Sequence, residues 1–353
     1  MIDDALFMRL ANAAVWAPTA ENRHFVKLRL ERDGERNVIL VMPTSVLLQE
    51  DTGRMPLHCL GIGALVENVV IQAATEGLHA EVRWGGKVSS GEPVAHIELA
   101  RDASGRGLPK LSRLKPYIEQ RVTNRAVRMA PPALDSLQRM TFDELTTDFD
   151  GVRLKWILSG EKWPFVRMGY SAESARFANE GLHREMFSGI RWSLGWSSSS
   201  DEGLPPGALG IERAARPAFK LLRHWPLMKA LSIVGGHRLI GIRAALIPLL
   251  MSADLVVIAS DHDGLSDWLN AGRVMQRVWL HGTSMNRAIQ PVAAVALYAH
   301  KGFPGVAPDV CSSLQAGWRA ILGDKVPMMC LRMGGADAPT VRAGRICPDK
   351  LVD

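Results

Sequence analysis

The stretch Arg121-Val122-Thr123-Asn124-Arg125 places two guanidinium groups, a hydroxyl and an amide within five residues. Arginine side chains form bidentate, charge-assisted hydrogen bonds with phosphate oxygens, and Thr and Asn add shorter polar contacts. The same residues also suit a solvated helix end or turn, in which Thr or Asn serves as an N-cap. The stretch therefore indicates a phosphate site, with an ordinary surface turn as the alternative.

The composition is that of a globular protein with a large core. The chain has 353 residues, of which 47% are hydrophobic, so its length suits about two domains or one large one. The net charge is +6, but the 42 Lys and Arg residues are interspersed with 36 Asp and Glu residues. Without a long basic tract, this balance argues against a nucleic-acid partner and is compatible with a phosphate-bearing ligand.

The cysteines and the N-terminus indicate a reducing compartment. Cys59, Cys311, Cys330 and Cys347 show no CxxC spacing, so the sequence predicts neither a zinc ribbon nor a disulfide framework. The N-terminal segment carries two aspartates where a secretion signal needs positive charge. We expect a cytoplasmic protein with no metal site.

The most apolar later stretch runs from Leu239 to Ile258. Arg243, Pro248 and Asp254 interrupt it, which disfavours a membrane span. A buried helix followed by a strand is the better interpretation. We therefore expect no membrane partner.

Two segments have the apolar spacing of long buried helices, residues 61–77 and 271–286. When Gly63 is aligned with Gly272, Glu67 falls opposite Gln276. The same alignment pairs Gly77 with Asn286, and both residue types favour the left-handed conformation that ends a helix. The two segments are thus predicted to be variants of one another, as an internal duplication would produce.

Segments rich in β-branched and apolar residues follow and precede these helices. The predicted strands are Val26 to Glu31, Asn37 to Met42, Ala80 to Trp84, Val94 to Leu99, Val152 to Leu158, Leu255 to Ser260, Ile289 onward, and Met328 to Met333. Because helices alternate with strands, the sequence predicts an α+β or α/β class.

An insert at about Met186 to Pro226 differs in composition from both halves. Its Ser, Gly and Pro residues indicate an irregular loop, whereas Trp192, Trp196 and Trp225 are too apolar to stay solvated. The insert is either a lid over a pocket or a surface loop held to the body by its tryptophans.

The common catalytic motifs do not fit this chain. The GIG at residues 61–63 lacks a preceding strand and a third glycine, so a dinucleotide fingerprint is not indicated. The run from Ser260 to Gly264 is better explained by an Asx turn and a helix N-cap than by a metal site. No HExxH or GxSxG is present. The remaining possibility is cofactor chemistry, in which the protein binds and orients.

The order of these motifs resembles that of the nitroreductase superfamily of FMN flavoproteins. It is most similar to the branch with two nitroreductase-like halves in one chain, the mycobacterial Acg-like proteins and the modules found with ThiF-like adenylating domains. The similarity covers nearly the whole chain, from APTAEN through GALVENVVIQAATEGL and RVTNR to the tail LRMGGADAPTVRAGR. It implies an α+β, nitroreductase-like fold of two fused pseudo-symmetric halves, residues 1–115 and 116–353, each with a central sheet and a long core helix, plus a lid-like insert.

The resemblance also implies an FMN site. The loop residues expected at the isoalloxazine and ribityl side, leaning from one half over a flavin held by the other, are Pro18, Thr19, Ala20 and Asn22. The residues expected to grip the phosphate and ribityl chain are Arg121, Thr123, Asn124 and Arg125. Arg342 and Arg345 would complete the phosphate site, and Gln290 and Pro291 would lie near the flavin pyrimidine edge. No catalytic side chain is implied.

The chain departs from the family pattern in the first loop. Glu21 stands where the family has His, His24 replaces Gln, and Phe25-Val26 replaces Pro-Trp; after RVTNR, Ala126 removes a second arginine. A carboxylate at Glu21 would repel a reduced, anionic flavin and lower its potential, unless the side chain turns to solvent.

The resemblance implies an FMN-dependent oxidoreductase that passes reducing equivalents from NAD(P)H through the flavin to a small organic substrate. The alternatives are an FMN-binding or sequestering protein closed by its insert, and a cofactor-free partner module of an adenylating enzyme. The expected partners are the small-molecule substrate, NAD(P)H and a ThiF-like adenylating protein. The chain would be a pseudo-dimer in itself and could form a homodimer.

Overall fold

The computed structural model describes residues 2–33, 36–101 and 108–353, in which helices and strands alternate. The strands are β1 (Val26–Asp33), β2 (Arg36–Pro43), β3 (Leu78–Trp84), β4 (Ala95–Arg101), β5 (Val152–Trp156), β6 (Asp254–Ser260), β7 (Ala288–Pro291) and β8 (Val326–Gly334). The helices are α1 (Asp4–Ala14), α2 (Ser45–Leu48), α3 (Met55–Thr75), α4 (Leu108–Ser112), α5 (Ser136–Asp143), α6 (Ser159–Ala178), α7 (Glu180–Ser188), α8 (Arg216–Leu222), α9 (Trp225–Ile233), α10 (Gly236–Gly241), α11 (Ile247–Leu250), α12 (Leu265–Ser284), α13 (Ala294–Leu297) and α14 (Pro308–Leu322).

The strands form two four-stranded antiparallel sheets with the same internal order. One sheet runs β1-β2-β4-β3 and the other runs β5-β6-β8-β7. In each half, a long helix joins the second strand of the chain order to the third: α3 lies between β2 and β3, and α12 lies between β6 and β7. The strands predicted from the sequence are confirmed, and the two halves repeat one order of elements.

The chain groups into two compact units. Unit 1 contains Met1–Arg121, Asp263–Met285 and Gly344–Asp353, and unit 2 contains Val122–His262 and Asn286–Ala343. Helix α12 therefore belongs to unit 1, although its neighbours in the chain belong to unit 2. The division predicted at residues 115 and 116 separates the repeated halves rather than these compact units, and it stays a prediction.

Helices α3 and α12 form the centre of unit 1. Helix α3 is buried along almost all its length, because most of its residues are apolar and its polar residues Glu67, Asn68 and Gln72 are buried with them. Among the described residues one straight helix, Thr52–Thr75, has the length and hydropathy of a membrane span, and it is buried inside the protein. Both long helices end as predicted: Gly77 after α3 has φ 74°, and Asn286 after α12 has φ 56°.

The two helices touch at the glycines that the sequence alignment paired. A Cβ atom added to Gly63 would overlap the carbonyl oxygen of Leu269, and one added to Gly272 would overlap that of Leu60. Each glycine thus meets the residue three positions before the other glycine. This reciprocal contact agrees with the predicted correspondence of α3 and α12, because the contact stays the same when the two helices are exchanged.

Unit 2 is built on the second sheet, in which β6 is fully buried and β8 nearly so. Helices α6 and α14 pack together, with the rings of Phe165 and Trp318 at 5.8 Å. The long connection between β5 and β6 contains helices α6 to α11. In the first half β2 begins three positions after the end of β1, so the corresponding connection is much longer in the second half.

The insert is more helical than its composition predicts. Pro217 and Pro226 lie at the starts of α8 and α9 and do not break them. Proline is tolerated in the first helical turn because that turn lacks intrahelical partners for its N–H groups. The prediction of an irregular loop is therefore wrong for residues 216–222 and for the start of α9.

Candidate functional site

The predicted loop of unit 1 follows α1 and is tied to the C-terminal tail. Arg345 donates from Nη1 to Oδ1 of Asn22 at 2.8 Å, and Asn22 donates from Nδ2 to the carbonyl of Gly344 at 3.3 Å. Glu21 and Asn22 both have φ 55°, a conformation that asparagine adopts more readily than glutamate. Pro18, Thr19 and Ala20 precede them and are half-buried. The structure thus brings together two predicted segments more than 300 positions apart.

Arg121 lies in the same unit but is deeply buried, with 2% of its surface exposed. Its Nη2 atom donates to the carbonyl of Trp16 at 2.8 Å, and its guanidinium lies 4.6 Å from the ring centroid of Trp279. The Arg345 guanidinium lies 5.7 Å from the ring centroid of Trp16. Trp16, which the sequence analysis did not single out, therefore joins both arginines just before the polar loop.

The other predicted residues form a second group, in unit 2. Thr123 makes an isolated parallel bridge with Ile289, and the Asn124 N–H donates to the Ile289 carbonyl at 3.0 Å. The Asn124 side chain donates to the carbonyl of Asp337 at 2.7 Å and accepts from the N–H of Ala126. Because Gln290 and Pro291 follow Ile289 in β7, Thr123 and Asn124 lie beside them.

Arg125 and Arg342 lie in unit 2 and contact the insert. Arg125 donates from Nη1 to the carbonyl of Ala208 at 2.8 Å, and burial lowers the pKa of Arg125 to about 10. A Cβ at Gly210, whose φ is 69°, would press against the Arg125 backbone. The carbonyl of Arg342 accepts from the Ser199 hydroxyl at 2.8 Å. The insert therefore contacts two of the four arginines predicted to bind phosphate.

Arg332 is a second buried cation, which the sequence analysis missed. It is 2% exposed and donates from Nε to Oε1 of the predicted residue Gln290 at 2.8 Å. Its other nitrogens donate to backbone carbonyls of Ala126, Val127 and Pro248 and to the Ser252 hydroxyl. Burial, with the charges of Arg243 and Arg125, lowers the pKa of Arg332 to about 10. In the sequence, the signal for Arg332 is a single arginine within the otherwise apolar segment that forms β8.

Arg125 and Arg332 have no carboxylate partner in the part of the chain that the structure describes. Every hydrogen bond that Arg125 or Arg332 donates goes to a carbonyl, amide or hydroxyl oxygen. Such oxygens satisfy the directional N–H groups but do not neutralise the charge. A phosphate would supply the missing negative charge, so the residues present fit the phosphate end of FMN.

Unit 1 contains a buried carboxylate, Glu67, where α3 meets α12. It accepts from Nε of both Arg273 and Arg277 at 2.6 Å. Burial alone would raise the pKa of Glu67, but the two arginines hold it below its usual value. Gln276 donates to Asn68 beside them at 2.6 Å. The carboxylate stays ionised, so it suits helix packing and not proton transfer.

A small cavity lies beneath the polar loop of unit 1, lined by residues that include Thr19, His24 and His58. Its volume is about 10 Å³, enough for about one water molecule. The Thr19 hydroxyl and both His24 ring nitrogens are buried without a hydrogen-bond partner among the described residues. Burial first, and then the charge of Arg345, lower the pKa of His24 to about 4. The cavity is far too small for a flavin ring.

The tryptophans of the insert pack within unit 2. Trp192 and Trp225 join an apolar cluster built on Phe177, Phe187, Ile190 and Met228. The Arg216 guanidinium lies 4.8 Å from the ring centroid of Trp196. The insert is thus held by its own apolar contacts, and a lid function stays a prediction.

The turn at Ser260 to Gly264 ends at Gly264, the N-cap of α12, and its predicted Asx turn stays a prediction. The Asp267 carboxylate accepts from the Gly264 N–H at 3.0 Å and so caps the start of α12. Asp263 accepts from the indole N–H of Trp268 at 2.7 Å, and Asp261 pairs with Lys325. Across residues 2–33, 36–101 and 108–353, no three His, Cys, Asp or Glu side chains form a group that could hold a metal ion. The four cysteines are free thiols.

No family model matches the chain. A curated protein of Mycobacterium tuberculosis, the uncharacterized protein MT1398, is 24% identical over 271 residues. The match covers 72% of this chain and 35% of that protein, so the chain spans about a third of its relative's length.

Two solved nitroreductase structures are similar to parts of the fold. The FMN-dependent nitroreductase NfnB of Mycobacterium smegmatis, in complex with NADPH, has a TM-score of 0.41 and 16% identity, with 69% of this chain and 98% of NfnB covered. A putative nitroreductase of Anabaena variabilis has a TM-score of 0.39 and 12% identity, with 96% of this chain and 74% of that one covered.

Proposed function

We propose that this protein is an FMN-dependent oxidoreductase of the nitroreductase type. NAD(P)H would reduce the flavin, and the reducing equivalents would pass to a small organic substrate. The observation that supports the proposal best is the uncompensated positive charge of Arg125 and Arg332, which lies beside the residues that the motif resemblance selects. FMN would supply the redox chemistry, so the chain need contribute only binding, orientation and electrostatics.

The proposed roles in unit 2 are those that the resemblance implies for these residues. Arg125 and Arg342 would bind the phosphate, with Thr123 and Asn124 beside the ribityl chain. Gln290 and Pro291 would contact the pyrimidine edge. Arg332 would fix the orientation of Gln290, because its Nε–H occupies the Gln290 carbonyl oxygen and leaves the amide group to donate elsewhere.

In unit 1, the loop residues Pro18, Thr19, Ala20 and Asn22 would contact the flavin, as the resemblance implies. Arg345 holds Asn22, so it would act on the flavin partly by positioning that side chain. Arg121 is covered by Trp279 and bound to the Trp16 carbonyl, so we propose that its main role is to fix the start of the loop.

A second function, storage or shielding of FMN with little turnover, is favoured by the insert. Its residues Ser199 and Ala208 contact Arg342 and Arg125, and its tryptophans are packed and not loose. A closed insert of this kind would exclude both water and NAD(P)H from a bound flavin.

The first test is the absorbance spectrum of the purified protein, followed by titration of the colourless fraction with FMN. We expect saturable binding of one FMN per chain and bleaching by NADPH or NADH under anaerobic conditions. FMN binding without bleaching would favour the shielding function. No binding of FMN would contradict both and leave the cofactor-free partner module.

A second test separates enzyme from shield through the insert. Gly207→Ala would force the insert apart, because the new Cβ would overlap the carbonyl of Trp196. Gly195→Ala is the matched control, since its nearest neighbour, the Ser198 hydroxyl, is 3.5 Å away. Faster anaerobic flavin reduction in Gly207→Ala alone, at equal FMN loading, supports a shield. Slower reduction means that the insert forms part of a working substrate site.

A further inference from the structure

The net charge of the protein is concentrated in one segment, residues 211–251. This segment contains seven Lys and Arg residues and a single carboxylate, Glu212. It thus accounts for the whole net charge of +6, and the acidic and basic residues of the remaining chain balance. Arg243 pairs with Glu212, so the other cations of the segment are in large excess over acids.

Helices α8, α9 and α10 of this segment already have an inward apolar side. The apolar residues of this inward side pack on the cluster of Phe177, Phe187, Ile190 and Met228. These inward residues are Phe219, Leu222, Trp225, Leu231 and Ile240. This set packs the three helices on the rest of unit 2, and the cluster does not include the exposed apolar residues of the segment.

The same helices expose a second apolar set at the turn between α9 and α10. Ile233 is 83% exposed, Val234 is 79% exposed and Leu239 is 69% exposed. Gly235, with φ 83°, makes the turn. Leu221 and Leu227 are also exposed. Neighbouring large aliphatic side chains with such high exposure mark a surface that a protein partner or a membrane covers.

Basic side chains flank this apolar turn on both helices. Lys229 of α9 and Arg238 of α10 are exposed on either side of it, and Lys220 is exposed on α8. Apolar residues at a tip with lysines and arginines around them form the pattern of a segment that lies in a membrane interface. Anionic lipids attract such basic groups, which therefore add to the binding of the apolar tip.

The shape of the segment excludes a simple span. Trp225–Ile233 and Gly236–Leu250 together have the length and hydropathy of a membrane segment, but they are bent by 100° at the turn. A span needs about 20 residues in one straight helix, whereas α9 has nine. The segment can therefore only enter the surface layer of a bilayer with its turn.

We propose that the α8–α10 segment docks this protein on an anionic lipid bilayer. Ile233, Val234 and Leu239 enter the interface, and Lys229 and Arg238 contact the lipid phosphates. A second copy of the chain is disfavoured as the occupant because it would bring the same excess of positive charge. The proposal goes beyond the redox function and departs from the sequence expectation that no membrane is involved.

The experiment is co-sedimentation of the full chain with unilamellar vesicles of phosphatidylcholine alone or phosphatidylcholine mixed with phosphatidylglycerol. The double variant Ile233→Ser/Val234→Ser removes the tip, and Lys229→Gln/Arg238→Gln removes the flanking charge. Leu137→Ser is the matched control, because Leu137 of α5 is 69% exposed, as Leu239 is. Circular dichroism melting establishes that each variant is folded.

We expect binding to the anionic vesicles only, weakened about tenfold or more by the tip variant, as the transfer free energy of two aliphatic side chains requires. The charge variant should bind more weakly than the parent and depend less on salt, and Leu137→Ser should bind like the parent. Equal binding to neutral vesicles, or undiminished binding by the tip variant, overturns the proposal. So does sedimentation velocity that shows a dimer lost in the tip variant, which would make a second copy the occupant.

Discussion

Two pairs of arginines, one pair in each unit, differ in how their positive charge is balanced. In unit 1, Arg273 and Arg277 converge on the fully buried carboxylate of Glu67. In unit 2, Arg125 and Arg332 donate to uncharged oxygens, and the part of the chain that the structure describes gives them no acid. The first arrangement completes the packing of two helices. The second leaves a region that an anion would stabilise, and this difference separates structural charge from charge available for a ligand.

The largest effect on stability should come from removing Glu67, the carboxylate that balances the charges of Arg273 and Arg277. Glu67→Ala leaves two buried guanidinium groups without their acid, so the free energy of unfolding should fall by roughly 3–5 kcal/mol. Urea denaturation measures this loss. Glu98→Ala, which breaks the exposed pair with Arg36, is the control and should change stability little. Equal stability of Glu67→Ala and the parent would contradict a structural role for the pair.

The uncompensated site should matter for ligand binding. Arg125→Ala should weaken FMN binding by roughly 2–5 kcal/mol, because it removes a charged partner from a partly desolvated phosphate. Arg128→Ala is the control, since Arg128 is exposed three positions later. Quenching of FMN fluorescence gives both dissociation constants. If the two variants bind FMN equally well, Arg125 is not a phosphate ligand.

His24 of unit 1 has two buried ring nitrogens with no hydrogen-bond partner among the described residues, and it should make stability depend on pH. Its folded pKa of about 4 lies below the unfolded value near 6.5. The unfolded chain therefore binds the proton first, and stability is lost as the pH falls from about 6.5 to about 4, on the order of 3 kcal/mol. His24→Gln should lack this share of the loss. Parallel pH curves for the parent and the variant would show that His24 titrates normally.

The smallest effect should be the change in the free energy of unfolding when Arg332 is replaced. Arg332→Gln loses hydrogen bonds to buried carbonyls but also removes an uncompensated charge, so the net loss should be about 1–3 kcal/mol. If Arg332 acts on a bound flavin, this variant should also lower the reduction potential of FMN. Arg332→Lys keeps the charge and should preserve the potential. Identical potentials in all three proteins would limit Arg332 to holding Gln290 and the neighbouring backbone.

Most of the framework was readable from the sequence because local patterns determine it. Alternating β-branched residues marked the strands, and Gly77 and Asn286 marked helix ends that need a positive φ. The pairing of Gly63 with Gly272 was also readable, because close helix contact requires glycine and both glycines occupy the same place in their segments.

The contacts of the candidate site were less predictable, because they join residues far apart in the chain. The motif order selected Asn22 and Arg345, but only the fold shows that they bind each other. Arg332 was missed because most of its partners are backbone carbonyls, which leave no pattern in the sequence. The helices of the insert were missed because a proline such as Pro217 or Pro226 breaks the interior of a helix but is tolerated in its first turn.

The contact between α3 and α12 has a consequence for synthesis on the ribosome. About two hundred residues separate the two helices in the chain, yet α12 covers much of the apolar surface of α3. At translation rates of about 5–20 residues per second, α3 waits roughly ten to forty seconds for this partner to be made. During that interval the face of α3 that α12 covers is exposed in the nascent chain, which makes this the stage at which a chaperone would be most useful to the protein.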